Sequence, residues 1–141
     1  MDPVAEDELV GMLNLLLEAE RAGAAVAYET ASAAGDGALA ALMRAIQHDE
    51  ARWCAMLIGH LKARGARPSQ KVGEFREKAL AIADLRERIA FLNRGQGWVV
   101  RKLEAMLPRL PEGGLRSDLA EMLASHETNI ARANEVAGRS G

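Results

Sequence analysis

A chain of 141 residues with 49% hydrophobic and 27% charged side chains can fill one core and is too short for two, so residues 1–141 are expected to form a single domain. The net charge of −2 gives no basic footprint for nucleic acid or for an anionic membrane surface, and no apolar run nears the ~20 residues of a membrane-spanning helix. Cys54 is the single cysteine, which excludes an internal disulfide, and Glu6, Asp7 and Glu8 stand where a signal peptide would be basic; a cytoplasmic location is the expectation.

Ala, Leu, Glu and Arg dominate while β-branched and aromatic residues are scarce, which favours helix almost throughout. The spacing of apolar residues predicts four amphipathic helices, the first over about residues 4–33 with Leu9, Leu13, Leu16, Leu17, Ala24 and Ala27 on one stripe. Pro3 suits its first turn, Gly35-Asp36-Gly37 ends it, and Asp36 is placed to cap the next helix. The second, about 37–64, repeats Leu42, Ile46, Trp53, Leu57 and Leu61 until Gly65 and Pro68 stop it. The third carries Ile82, Leu85, Ile89, Leu92, Val99, Leu103 and Met106, and is closed by Pro108 and Pro111. The last, about 113–137, shows Leu115, Leu119, Leu123, Ile130 and Ala133, then frays into Gly-Arg-Ser-Gly.

Tight turns pair the first helix with the second and the third with the fourth. Between the pairs lie about fifteen residues, roughly 65–80, which extended would reach about 50 Å, longer than a helix of about 28 residues at 1.5 Å each. This piece can therefore cross the whole bundle and set the second and third helices parallel. The alternative is that "EFREKALAIAD" lengthens the third helix and leaves a simple up-down bundle.

Each stripe is interrupted once, near its middle. Glu20 interrupts the first, Glu50 (with Asp49 competing) the second, Gln96 the third, and Glu127 (with His126 competing) the fourth. Carboxylates gathered at one depth in a core cannot all stay ionised without a cation or hydrogen-bond donors. They bind a metal, share protons, pair with an Arg such as Arg21 curling inward, or reach solvent at a seam.

On these residues the chain resembles the ferritin-like superfamily of bacterioferritins and rubrerythrins, as a divergent bacterial branch. The resemblance implies an all-α four-helix bundle with a crossover between helices 2 and 3. It also implies a di-iron centre held by a Glu on helix 1, Glu-x-x-His on helix 2, a Glu on helix 3 and Glu-x-x-His on helix 4. Glu20, Glu50 and Glu127 match the family's glutamates, but Trp53 and Ile130 replace the two histidines and Gln96 replaces the third-helix Glu. Two irons need close to the full set, so the resemblance implies a degenerate site. A half-turn slip of the last helix would instead make Gln96, His126 and two carboxylates a single-metal set.

Other residues have plainer readings. His48 belongs on the surface or at a seam, Cys54 reads as a small core residue before a redox group, and Tyr28 belongs in the core or hydrogen-bonded to the polar layer. Gly95 and Gly97 flank Gln96 inside a helix, at roughly 1 kcal/mol each against Ala, and signal either a close approach by another helix or a ligand, or a kink at the bundle centre.

Three functions stay open: a bundle without a di-iron centre that binds a partner, itself or a small ligand at the polar layer; an iron- or manganese-binding protein using a rebuilt site on Glu20, Glu50 and Glu127; and a structural bundle whose polar layer fixes register. A homodimer is expected in each case.

Overall fold

The computed structural model describes residues 2–139. They form four long helices and one short one: α1 Glu6–Ala34, α2 Ala38–Ala63, α3 Phe75–Leu80, α4 Leu85–Met106 and α5 Gly114–Arg139. The last runs to Arg139, two residues beyond the expected end; the rest of the C-terminal tail lies outside the described residues.

The helix ends follow local chemistry. Gly35 closes α1 at φ 75° and donates its N–H to the Ala31 carbonyl, a conformation that costs glycine nothing. Gly37, not Asp36, occupies the N-cap of α2, and no side chain caps it. Pro3 likewise precedes α1 and takes no part in its first turn. Asp84 caps α4 by accepting from the Glu87 N–H at 3.1 Å. This cap shortens the expected third helix at its start: Ile82 stands in the turn before α4 and offers its carbonyl to Arg88 Nε at 2.9 Å. After Met106 the chain tightens into a 3₁₀ turn, Leu107–Arg109, which contains Pro108.

Side-chain pairs fix the directions. Between α2 and α5, His60 meets Asp118, Arg52 meets Glu121 and Asp49 meets Asn129, so rising numbers pair with falling ones and the two helices are antiparallel. At the other seam Leu9, Leu13, Leu16 and Leu17 share a core with Val99, Leu103 and Met106. There the N-terminal segment reaches the turn after α4, where Val4 donates its N–H to the Arg109 carbonyl and Glu8 holds the Arg109 guanidinium. With α1 and α2 joined by a tight turn, α2 and α4 run parallel, and the segment joining them crosses the bundle.

That crossing leaves a ladder of bonds along α1. Arg64 pairs with Glu6 at 2.8 Å, the Ser69 N–H reaches Asn14 at 2.7 Å, Ser69 Oγ reaches Glu18 at 2.7 Å, and Arg21 reaches the Lys71 carbonyl at 2.8 Å. Arg21 is thus spent on the crossover and does not turn into the core. The segment does not lengthen the following helix; it folds into α3, which lays Ala79 against Val26, Ala27 and Ala31.

The core is split by height. One apolar cluster gathers Leu9, Leu13, Trp53, Leu57, Leu103 and Leu119; the other gathers Val26, Leu42, Ile46, Ile89, Leu92 and Ala133. Glu20, Glu50, Gln96 and His126 stand between these residues along their helices and are buried. Among the described residues no helix is long and apolar enough to cross a membrane.

Candidate functional site

Glu20 on α1, Glu50 on α2 and His126 on α5 converge in the middle of the bundle. Their exposures are 1%, 2% and 1%, low enough that water cannot solvate the two carboxyl groups. One ligand atom from each lies within 4.8 Å of the other two.

The imidazole is fixed from behind. His126 Nδ1 lies 2.9 Å from the Met122 carbonyl one turn earlier. A carbonyl can only accept, so Nδ1 carries a proton and Nε2 faces the carboxylates. Nε2 is 3.1 Å from Glu20 Oε2, in hydrogen-bond geometry, and 2.9 Å from Oε1, which is off the bonding direction. Glu20 Oε1, Glu50 Oε2 and Gln96 Oε1 are buried acceptors without a hydrogen bond.

Charge follows from this crowding. Burial, then the neighbouring Glu20 and Asp49 charges, holds the Glu50 carboxyl well above the ordinary carboxylate range. Burial works against a charged His126, yet the Glu20 carboxylate, by charge and by hydrogen bond, lifts the imidazole above its ordinary value, with help from the Met122 carbonyl and Asp49. Burial, then Glu20 and Glu50, pushes the Cys54 thiol up to about 12, so this half-buried cysteine is no thiolate nucleophile near neutral pH.

Two glycines make room. Gly23 on α1 faces Glu50, and a Cβ there would overlap the Glu50 carboxylate. Gly95 on α4 lies under the Phe75 ring of α3, where a Cβ would come within 2.7 Å of two ring carbons. The close approach expected around Gln96 is therefore real, and the approaching group is the crossover's own aromatic. Gly23 escaped sequence reading because it sits among alanines that look like ordinary small core residues.

The structure brings Glu20, Glu50 and Gln96 inward, but not Glu127, which is exposed. His126 takes the inward position in its place. Asp49 stays at the α2–α5 seam, accepting from Asn129 Nδ2 at 3.0 Å and from Ser125 at 3.5 Å. Trp53, one turn from Glu50, is 2% exposed and fills the core, with Arg52 stacked 4.5 Å from its ring. His48 is on the surface. Tyr28 is 55% exposed, not in the core and not hydrogen-bonded to the layer, because at its level α1 buries Val26, Ala27, Thr30 and Ala31 instead.

From solvent, a cavity of about 500 Å³ reaches the layer between α1, the crossover and α4. Glu20, Glu50 and Gln96 line its inner part, and Phe75, Phe91, Leu92, Trp98 and Val99 supply apolar walls. The site therefore has one side closed by His126 and another open to a small molecule.

Two carboxylates and an imidazole, with acceptors lacking donors and a ring nitrogen aimed among them, could coordinate a single metal ion. The donors are too few for two. Comparison with curated proteins and with solved structures finds no match. The profile of a family described as a domain of unknown function, DUF6306, matches residues 7–135, which takes in α2, the crossover, α4, most of α1 and α5 and every residue of the buried layer; the chain belongs to the DUF6306 family.

Proposed function

We propose that this chain is a single-metal protein of the helical-bundle type, with Glu20, Glu50 and His126 as the protein ligands and an open side facing the cavity. The observation that carries it is the pair of buried carboxylate oxygens without donors beside an imidazole whose other nitrogen is tied to a backbone carbonyl. That backbone bond is the usual support behind a metal-ligating histidine, fixing the tautomer and the ring plane. Three protein ligands and an open position are the pattern of sites that bind a further molecule, whereas purely structural sites close their coordination sphere. A mixed oxygen and nitrogen set favours iron, manganese or zinc over copper(I), and a bound ion of that kind supplies Lewis-acid or redox chemistry.

The crossover topology and the mid-height layer support kinship with the ferritin-like bundles. The ligands differ in kind: a lone histidine on α5 in place of paired Glu-x-x-His motifs, and one metal in place of two.

The test is elemental analysis of untagged protein from cells supplemented with iron and manganese. The wild type should carry close to one metal per chain, and Glu50→Ala and His126→Ala should lose it while remaining folded. Glu127→Ala should retain it. Metal-free wild type would overturn the reading and leave a proton-sharing polar layer.

A further inference from the structure

We infer that the cavity above the polar layer is a binding site for a small aromatic acid that carries a hydroxyl group at the end opposite its carboxylate. This goes beyond the metal and does not rest on it, because the groups that select such a molecule are not the proposed metal ligands.

Three features each select one part of the ligand. The walls are apolar and aromatic: Phe75 and Phe91, stacked on one another with centroids 4.9 Å apart, line the cavity together with Trp98. A planar hydrophobic body packs on such surfaces. At the inner end Gln96, 3% exposed, spends its amide nitrogen on Asn93 at 3.4 Å and leaves Oε1 without a donor. A hydroxyl group entering from the cavity would relieve that acceptor. The outer end carries four charges whose engagement is unequal. Glu74 already pairs with Lys78 at 3.3 Å, while Glu18 accepts from the neutral Ser69 hydroxyl and keeps its charge. The exposed Arg94 and Arg101 have no ion-pair partner among the described residues, and Arg94 lies over the Phe91 ring at 5.5 Å with its donors free. Two guanidinium groups against the one carboxylate of Glu18 leave the mouth net positive, which suits a carboxylate. The volume of about 500 Å³ falls within the roughly 300–1,000 Å³ typical of small-molecule sites.

The test is isothermal titration calorimetry on chelator-treated protein with 4-hydroxybenzoate, benzoate and phenol. The hydroxy acid should bind saturably, one per chain, at least about tenfold tighter than either probe lacking one end. Arg94→Ala with Arg101→Ala should weaken it by about tenfold or more and leave phenol unaffected. Gln96→Leu should erase the preference over benzoate. Ala19→Trp, which fills the cavity from α1, should abolish binding, and Val72→Trp, on the crossover, serves where that variant does not fold. No saturable binding at millimolar probe, or binding that survives both tryptophan variants, overturns the inference. The latter result would place the probe in the shallower depression on the other side of the two arginines, beside Asn93 and Asn134.

Discussion

His126 and Glu127 differ by about 100° of helix rotation, and that angle decides the chemistry of the site. The apolar positions Leu115, Leu119 and Leu123 continue to Glu127 in steps of four, but each such step drifts about 40° around a helix of 3.6 residues per turn. Alternating steps of three and four hold one face, and Leu119, Met122, His126, Asn129 and Ala133 are the buried series. The inward histidine was legible in the sequence only as a competitor, because Leu123 hides the choice of step. Glu20, Glu50 and Gln96 were legible because each sits squarely on an otherwise apolar stripe. Gly23 offers a direct check of how tightly Glu50 is held. In an open helix position such as Gly11, replacement by Ala should stabilise by roughly 0.5–1 kcal/mol. At Gly23 the new methyl would overlap the Glu50 carboxylate, which must swing away to make room. Gly23→Ala should therefore lose metal, and Gly11→Ala should not. A pH dependence follows as well. Glu50 and His126 both have folded-state values raised above the ordinary 4.5 and 6.5, so the folded chain holds their protons more tightly than the unfolded one. Their stabilisation is complete below those ordinary values and is lost as pH rises through the folded ones. Metal-free wild type should lose melting temperature relative to Glu50→Gln as pH rises from about 5 to about 8. Metal affinity should move the other way, since binding needs the deprotonated ligands.

Among the elements, α3 has the least support of its own. Six residues are too few to be helical alone, so its order comes from Ala79 on α1 and from Phe75 against Phe91 and the bare face of Gly95. Phe75→Ala should raise amide exchange across residues 72–84 while leaving the centres of the four long helices protected, and should cost roughly 1–3 kcal/mol because the ring is only half-buried. The length of the connection made the crossover foreseeable. The short helix within it was not, because its identity as a helix depends on partners far away in sequence and its few apolar residues show no sustained period.

At the scale of the molecule, the polar layer interrupts a core that would otherwise be continuous. Buried carboxylates and an imidazole with unsatisfied atoms weaken a metal-free bundle, and apolar groups of similar size in their place often strengthen one. Replacing Glu20, Glu50, Gln96 and His126 together by apolar residues should raise the melting temperature and abolish metal binding. A chain that melts lower after that change would show that the layer contributes to stability through bonds formed without a metal. The three residues that could hold an ion come from both hairpins, α1 and α2 from one and α5 from the other. A bound ion would add a buried link between halves that otherwise meet through apolar packing and polar pairs nearer the surface, such as His60–Asp118 and Glu8–Arg109, and chelation should lower the melting temperature of the loaded protein in one cooperative step.

The crossover has a bearing on how such a protein can change over generations. Val72, Gly73, Glu74 and Phe75 form one wall of the cavity, and they belong to the stretch that holds α1 mainly through surface bonds. Substitutions at Val72 or Glu74, which precede α3, would reshape what enters from solvent without touching a long helix or the buried layer. The fold thus separates the part that must stay fixed for chemistry from the part that is free to vary for selectivity, and a set of descendants with one centre and many preferences could arise by editing this connection alone.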